Sequence, residues 1–199
     1  RFTMDKNMSE AVVKVFLELH KKKLIYKDFK LSNWDPVLQT AISDLEVVQK
    51  EVEGKLYYIK YFINKNDFII IATTRPETIF ADTAIAVNPK DKKFKKLINK
   101  YAKIPIIDRQ IKIISDDYAD PNQGSGAVKI TPAHDFNDYE VGLRHDLEKI
   151  NILESDGRLN KNCPQKYHGL DRFEARKLII EDLKSINALE KVEKIKHNV

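Results

Sequence analysis

Apolar positions recur along this chain in two rhythms, one near 3.6 residues and one near 2. Near the start, Val12, Val13, Phe16, Leu17 and His20 fall at helical spacing. They predict a helix capped by Ser9 and ending in the cluster Lys21, Lys22 and Lys23. The stretch 31–54, LSNWDPVLQTAISDLEVVQKEVEG, carries Pro36 and no sustained period, and reads as an irregular connector with short strands. From Lys55 the pattern changes. Residues 56–63 and 68–72 are rich in aromatic and β-branched side chains, and the turn chemistry of 64–67 between them predicts a β-hairpin. Further strands are predicted at 84–87, 104–107, 111–114, 127–131 and 150–153. Phe94, Leu97, Ile98 and Tyr101 predict an amphipathic helix. Towards the end, Asp171 and Glu174 form a capping pair for a helix whose apolar stripe is Phe173, Leu178, Ile179, Leu183, Ile186 and Leu189.

Many short strands with interspersed helices predict an α+β chain built on a compact mixed β-barrel rather than a doubly wound parallel sheet. Three parts are expected: residues 1–54 as a flanking helix and connector, 55–160 as the barrel core, and 161–199 as a C-terminal return segment with an amphipathic helix.

Composition narrows the picture. No run of about eighteen apolar residues occurs, so no membrane helix is expected. Cys163 is the one cysteine among 199 residues, which excludes an intramolecular disulfide and suits a reducing cytoplasm. The chain opens on Arg1 without a signal-peptide pattern, as a piece of a longer protein would. The net charge of +5 favours a polyanionic partner, although scattered lysines are equally a solvated surface.

The densest chemistry lies in residues 124–142, GSGAVKITPAHDFNDYEVG. Lys129 and Thr131 share a strand face, and Asp135 and Asp138 are neighbours at a helix start. Together they can form a pocket for a small zwitterionic group. A plainer reading stays open, in which Asp135 and Asp138 merely satisfy helix N–H groups. Residues 73–78, TTRPET, are likewise open to two readings. Thr74 and Glu77 have capping-box spacing with Pro76 in the first turn; alternatively Thr74, Arg75 and the turn N–H groups face a phosphate or ester oxygen. His134 is either a base or a satisfied loop histidine. The histidines and Cys163 lack metal-ligand spacing. No nucleophile elbow, dinucleotide fingerprint or phosphate loop is present.

Three segments, NWDPVLQTAISDLEV (33–47), TTRPETIFADTAIAVNP (73–89) and GSGAVKITPAHDFNDYEVGLRH (124–145), resemble the valyl-tRNA synthetases, class I enzymes, in order and over essentially the whole chain. RFTMD at the start and KVEKI near the end fit too. TTRPET with PAHD is the valine pattern; the isoleucine and leucine enzymes differ at both. The HIGH and KMSKS segments that hold ATP in this family are absent. The resemblance therefore implies the editing insertion, with short flanks of the catalytic body. It implies the β-barrel-rich editing-domain fold shared by the valyl, leucyl and isoleucyl enzymes, and hydrolysis of threonine from tRNA(Val). It assigns Asp138 to the substrate α-ammonium; Asp135, Thr131 and Lys129 to the threonine hydroxyl and ester; and Arg75 and Thr78 to the terminal adenosine. Partners would be the tRNA(Val) 3′ end carrying threonine and the remainder of the synthetase. No cofactor is expected here, ATP and Mg belonging to the parent enzyme. Gln123 departs from the family, which often has an aromatic residue there, and Ser125 replaces a threonine. A non-catalytic tRNA-docking insert, or the editing domain of an isoleucyl- or leucyl-type synthetase, are the alternatives.

Overall fold

A computed structural model describes residues 2–198, in two compact units, Arg1–Lys30 and Leu31–Val199. In the first, helix α1 spans Lys6–Lys21 and starts earlier than predicted, with Asp5 as its N-cap residue. The Asp5 carbonyl accepts the Ser9 N–H at 2.9 Å, so Ser9 lies inside the helix. Lys6, Met8 and Glu10 are good helix formers, so nothing delays the start to Ser9. Within this unit Val12, Val15, Phe16 and Leu19 form one apolar face, with Ile25 beside it.

The second unit begins with a small ribbon, β1 (Asn33–Asp35) against β2 (Thr40–Ile42). Trp34 Nε1 ties it down by donating to the Ser155 carbonyl at 2.7 Å. A seven-stranded sheet follows: β3 (Glu51–Phe62), β4 (Phe68–Thr73), β5 (Ala84–Val87), β6 (Tyr101–Lys103), β7 (Gln110–Ser115), β8 (Ala127–Ile130) and β9 (Leu189–Asn198). Strand order is β4-β3-β6-β7-β5-β8, with β9 on β3. All pairings are antiparallel except β5 with β7. The terminal strands β4 and β8 lie against each other, so the sheet nearly closes into a barrel. Helices α2 (Phe136–Arg144) and α3 (Arg172–Ser185) are peripheral. The α+β, barrel-rich class expected from the sequence is the fold observed.

Strand β4 shows why the hairpin was legible: Ile69, Ile71 and Thr73 alternate inward. Ile59, Tyr61, Ile71, Ile85, Ile104 and Ile113 are wholly buried. Each such isoleucine contributes about 1.5–3 kcal/mol of apolar burial.

Four local expectations are corrected. The predicted helix over Phe94, Leu97, Ile98 and Tyr101 is a succession of tight turns closed by Leu97 N–H to Phe94 O (2.8 Å) and Lys100 N–H to Leu97 O (3.0 Å). That three-residue step still lays Phe94 and Leu97 on the core, but Asn99 is left-handed (φ 68°) and stops any helix before Tyr101 enters β6. The strand predicted at 104–107 is instead the β6–β7 turn, because Pro105 has no N–H to give and Ile106 has φ 74°. At 150–153 only the bridge Leu153 to Leu159 forms. Leu189, read as the last residue of a helical stripe, opens β9. Helix α3 ends at Ser185, and Asn187 (φ 56°) turns the chain onto β3.

Candidate functional site

Strand β4 delivers Thr73 and Thr74 to one end of the barrel, and a 3₁₀ segment, Pro76–Ala81, follows at once. Strand β8 delivers Lys129 and Thr131, and a turn then starts α2. Close approach of these strands depends on Gly124. Its φ is +57°, and an added Cβ would stand 2.9 Å from the Ala72 Cβ. The eight residues singled out from the sequence, Thr74, Arg75, Thr78, Lys129, Thr131, His134, Asp135 and Asp138, all line one cavity of about 240 Å³, with Leu56, Ala72, Thr73, Tyr118 and Val128 completing it.

Lys129 is buried and already paired. Its ammonium donates to Asp82 Oδ1 at 2.8 Å and also bonds the Thr131 hydroxyl. Asp82 is wholly buried and accepts as well from Thr131 Oγ1 at 2.9 Å and Tyr61 Oη at 2.5 Å. Arg109 Nη2 braces this corner by donating to the carbonyls of Phe80 (2.7 Å) and Asp82 (2.8 Å). Burial, and then the Asp82 charge, push the Tyr61 phenol well above its ordinary pKa, so it stays a donor. The Lys129–Asp82 pair is neutral as a unit, and removing either partner would strand a buried charge at a cost of about 3–5 kcal/mol.

The two carboxylates of α2 divide the duties that the sequence left open. Asp135 is the cap: its Oδ1 accepts the N–H groups of Asn137 (2.9 Å) and Asp138 (3.1 Å). Asp138 is not needed for that. Its side chain turns inward, is 6% exposed, and accepts the Thr131 N–H at 2.9 Å. Burial pushes its pKa up to about 6; the Lys129 charge opposes the rise, and the Asp135 and Asp82 charges add to it. A buried carboxylate whose neighbouring cation is engaged with Asp82 is chemically suited to pair with a cationic group.

Arg75 is half exposed at the mouth, with Nη1 donating to the His134 carbonyl at 2.8 Å. The Thr78 hydroxyl donates to the Arg75 carbonyl at 3.0 Å and so braces its own turn. The capping box expected between Thr74 and Glu77 does not form. Arg75 is the N-cap residue, Thr73 Oγ1 accepts the Arg75 N–H at 3.1 Å, and Glu77 turns away to Arg176 of α3. His134 has the geometry of a loop histidine. Its Nε2 accepts the Ile152 N–H at 3.1 Å, and burial, then the charges of Arg75 and Lys129, lower its pKa to about 4.

Sequence reasoning missed Asp82, Tyr61, Arg109 and Tyr118. Asp82 had a signal, a lone acid in the apolar run IFADTAIAV. Tyr118 had none; it reaches the cavity through a loop whose Asp116 is gripped by Arg144 and His145. Among the described residues no group of His, Cys, Asp or Glu could hold a metal ion, and no helix is long and apolar enough to cross a membrane.

The family model for tRNA synthetases class I (I, L, M and V) matches residues 1–149. The chain belongs to this family. It is similar over its whole length to the valine–tRNA ligases of Pelagibacter ubique (63% identical over 199 residues, 100% of this chain and 23% of that protein) and Geobacillus stearothermophilus (52% over 200 residues, 100% and 23%). It is 54% identical over 194 residues to the valine–tRNA ligase of Legionella pneumophila strain Lens (97% of this chain and 21% of that protein). The chain thus spans under a quarter of the length of the curated relatives it matches. Among solved structures, the LeuRS of Agrobacterium radiobacter K84, in a ternary complex with tRNA and LeuAMS, superposes with a TM-score of 0.54 at 18% identity. That superposition covers 98% of this chain and 33% of that one, and the likeness is one of fold.

Proposed function

We propose that this chain is the post-transfer editing domain of a valyl-tRNA synthetase, hydrolysing the ester of threonine mistakenly attached to tRNA(Val). The parent enzyme would join valine to tRNA(Val) with ATP and Mg at a site outside this chain, in the cytoplasm. The observation that carries the reading is Asp138, a buried carboxylate in a polar cavity whose cation is committed to Asp82. The α-ammonium of an aminoacyl ester would supply the missing charge. Thr131 and Asp135 line the same cavity and offer partners for a threonine hydroxyl. Valine bound there would leave buried polar groups unpaired, at about 1–3 kcal/mol each. An apolar synthetic pocket has the opposite weakness, since it rejects an isostere bearing an added hydroxyl poorly. Arg75 and Thr78, at the cavity mouth, would position the terminal adenosine.

The residues lining the cavity supply no evident nucleophile. Lys129 is ion-paired, and His134 Nε2 is occupied by the Ile152 N–H. Water therefore adds to the ester carbonyl. The acyl C–O bond breaks, and threonine and tRNA with a free terminal hydroxyl leave. The contribution of the chain is to position the ester by its ammonium and hydroxyl. The test is to incubate threonyl-tRNA(Val) and valyl-tRNA(Val) separately with the chain. Loss of the threonyl ester, with the valyl ester spared, is expected; if neither ester is lost faster than without protein, the chain is a docking insert.

A further inference from the structure

Glu77 stands two residues after Arg75 and is 2% exposed. Arg176 of α3 grips it at both oxygens, Nε to Oε2 at 2.7 Å and Nη2 to Oε1 at 2.7 Å. Arg75 Nε lies 3.7 Å from the same Oε1, beyond hydrogen-bond distance but within strong electrostatic range. The hydrogen bond that Arg75 does make runs to the His134 carbonyl, beside the cavity. Two arginines thus face one buried carboxylate, and Arg176 holds it.

We propose that Arg176 is a positioning residue for the site: by saturating Glu77, it leaves Arg75 free to lie against His134 and face the cavity. A buried carboxylate deprived of its bidentate partner demands another cation. Arg75 is already within ion-pair range and its guanidinium is half exposed, so it turns to Glu77 and away from the cavity mouth. Helix α3, which contributes no residue to the cavity, acts on it through this competition. The inference rests on the proposed editing reaction for its kinetic consequence alone.

The test uses the full chain as Arg176→Met, Arg176→Lys and the double variant Arg176→Met/Glu77→Gln. Two quantities are followed, the ¹⁵Nε–¹Hε resonance of Arg75 and threonyl-tRNA(Val) deacylation. In Arg176→Met the Arg75 resonance shifts to that of an ion-paired guanidinium. KM rises about tenfold, the scale of removing one charged hydrogen bond to the bound substrate, with kcat nearly unchanged. In the double variant the neutral amide makes no such demand, so the resonance and KM both return towards the parent. Arg176→Lys, which cannot bridge both oxygens, gives a smaller rise of roughly threefold and carries the test if the methionine variant does not fold. A merely structural role would lower the melting temperature of the single and double variants alike and leave KM and the Arg75 resonance unmoved; that result overturns the proposal. So does failure of the double variant to recover. If the resonance moves as expected while the parent chain shows no deacylation, the positioning role stands and the editing reading falls.

Discussion

Asp138 is the residue at which stability and function pull apart. Its carboxyl has a pKa of about 6 in the folded chain against an ordinary 3.8, so the fold holds its proton more tightly than the unfolded chain does. The stabilising contribution is then complete below pH 3.8 and is lost as pH rises through about 6, leaving a buried charge that costs on the order of 3 kcal/mol at neutral pH. Asp138→Asn should therefore melt above the parent at pH 7.5, with the difference fading as pH falls to about 4, as thermal melts across that range would show. On the proposed editing reaction, threonyl-tRNA deacylation should nevertheless drop about a hundredfold, because the substrate ammonium would lose its partner. For the parent, kcat/KM should rise with pH through about 6 as Asp138 ionises. An Asn variant that deacylates at the parent rate would assign the carboxylate to the fold alone. The convergence of Lys129, Thr131, Asp135 and Asp138 was legible because strand and helix spacing are local. Asp82 was not, because its partners Lys129 and Thr131 are 47 and 49 residues away along the chain.

Helix α2 carries Asp138 and must sit at a fixed height above β8. Gly142 sets that height: a Cβ there would meet Pro132 Cγ at 2.8 Å and Cβ at 2.9 Å. Alanine has the better helix propensity by about 1 kcal/mol, yet Gly142→Ala should destabilise the chain by about 1–3 kcal/mol, since the proline ring cannot yield without displacing the turn that leads into α2. Urea denaturation measures this, and a gain in stability would show that α2 is free to lift. Elements were read correctly where burial follows a single period, as in β4, or where a short apolar run is buried throughout, as in β5. They were misread where special backbone geometry intervenes. The turns around Phe94 and Leu97 place Phe94, Leu97 and Ile98 against the core as a helix would, so the pattern alone does not distinguish them. Leu189 extends a helical stripe in the sequence, but the left-handed Asn187 comes first and hands it to β3.

At the scale of the whole chain, the +5 net charge bears on the proposed partner. Association with tRNA should be largely electrostatic, with affinity falling by at least about tenfold between roughly 50 and 200 mM salt. Fluorescence anisotropy with labelled tRNA(Val) measures it, and a flat response would move recognition away from the phosphates.

The sequence by itself determined the barrel-rich class, the β3–β4 hairpin and the grouping of Lys129, Thr131, Asp135 and Asp138, because side-chain period and motif spacing act over a few residues; that Arg75 and Thr78 belong with them was implied by the family resemblance alone. Tertiary structure alone decided what each polar group is free to do. Asp82 claims Lys129, Arg176 claims Glu77, and the Ile152 N–H claims the His134 ring, each from a distant part of the chain. Asp135 caps its helix through Oδ1, while Asp138 lies buried beside a cation that belongs to another carboxylate. A charge takes its chemical character from the counter-charge and the burial around it, and both are set by which strands and helices the fold brings together.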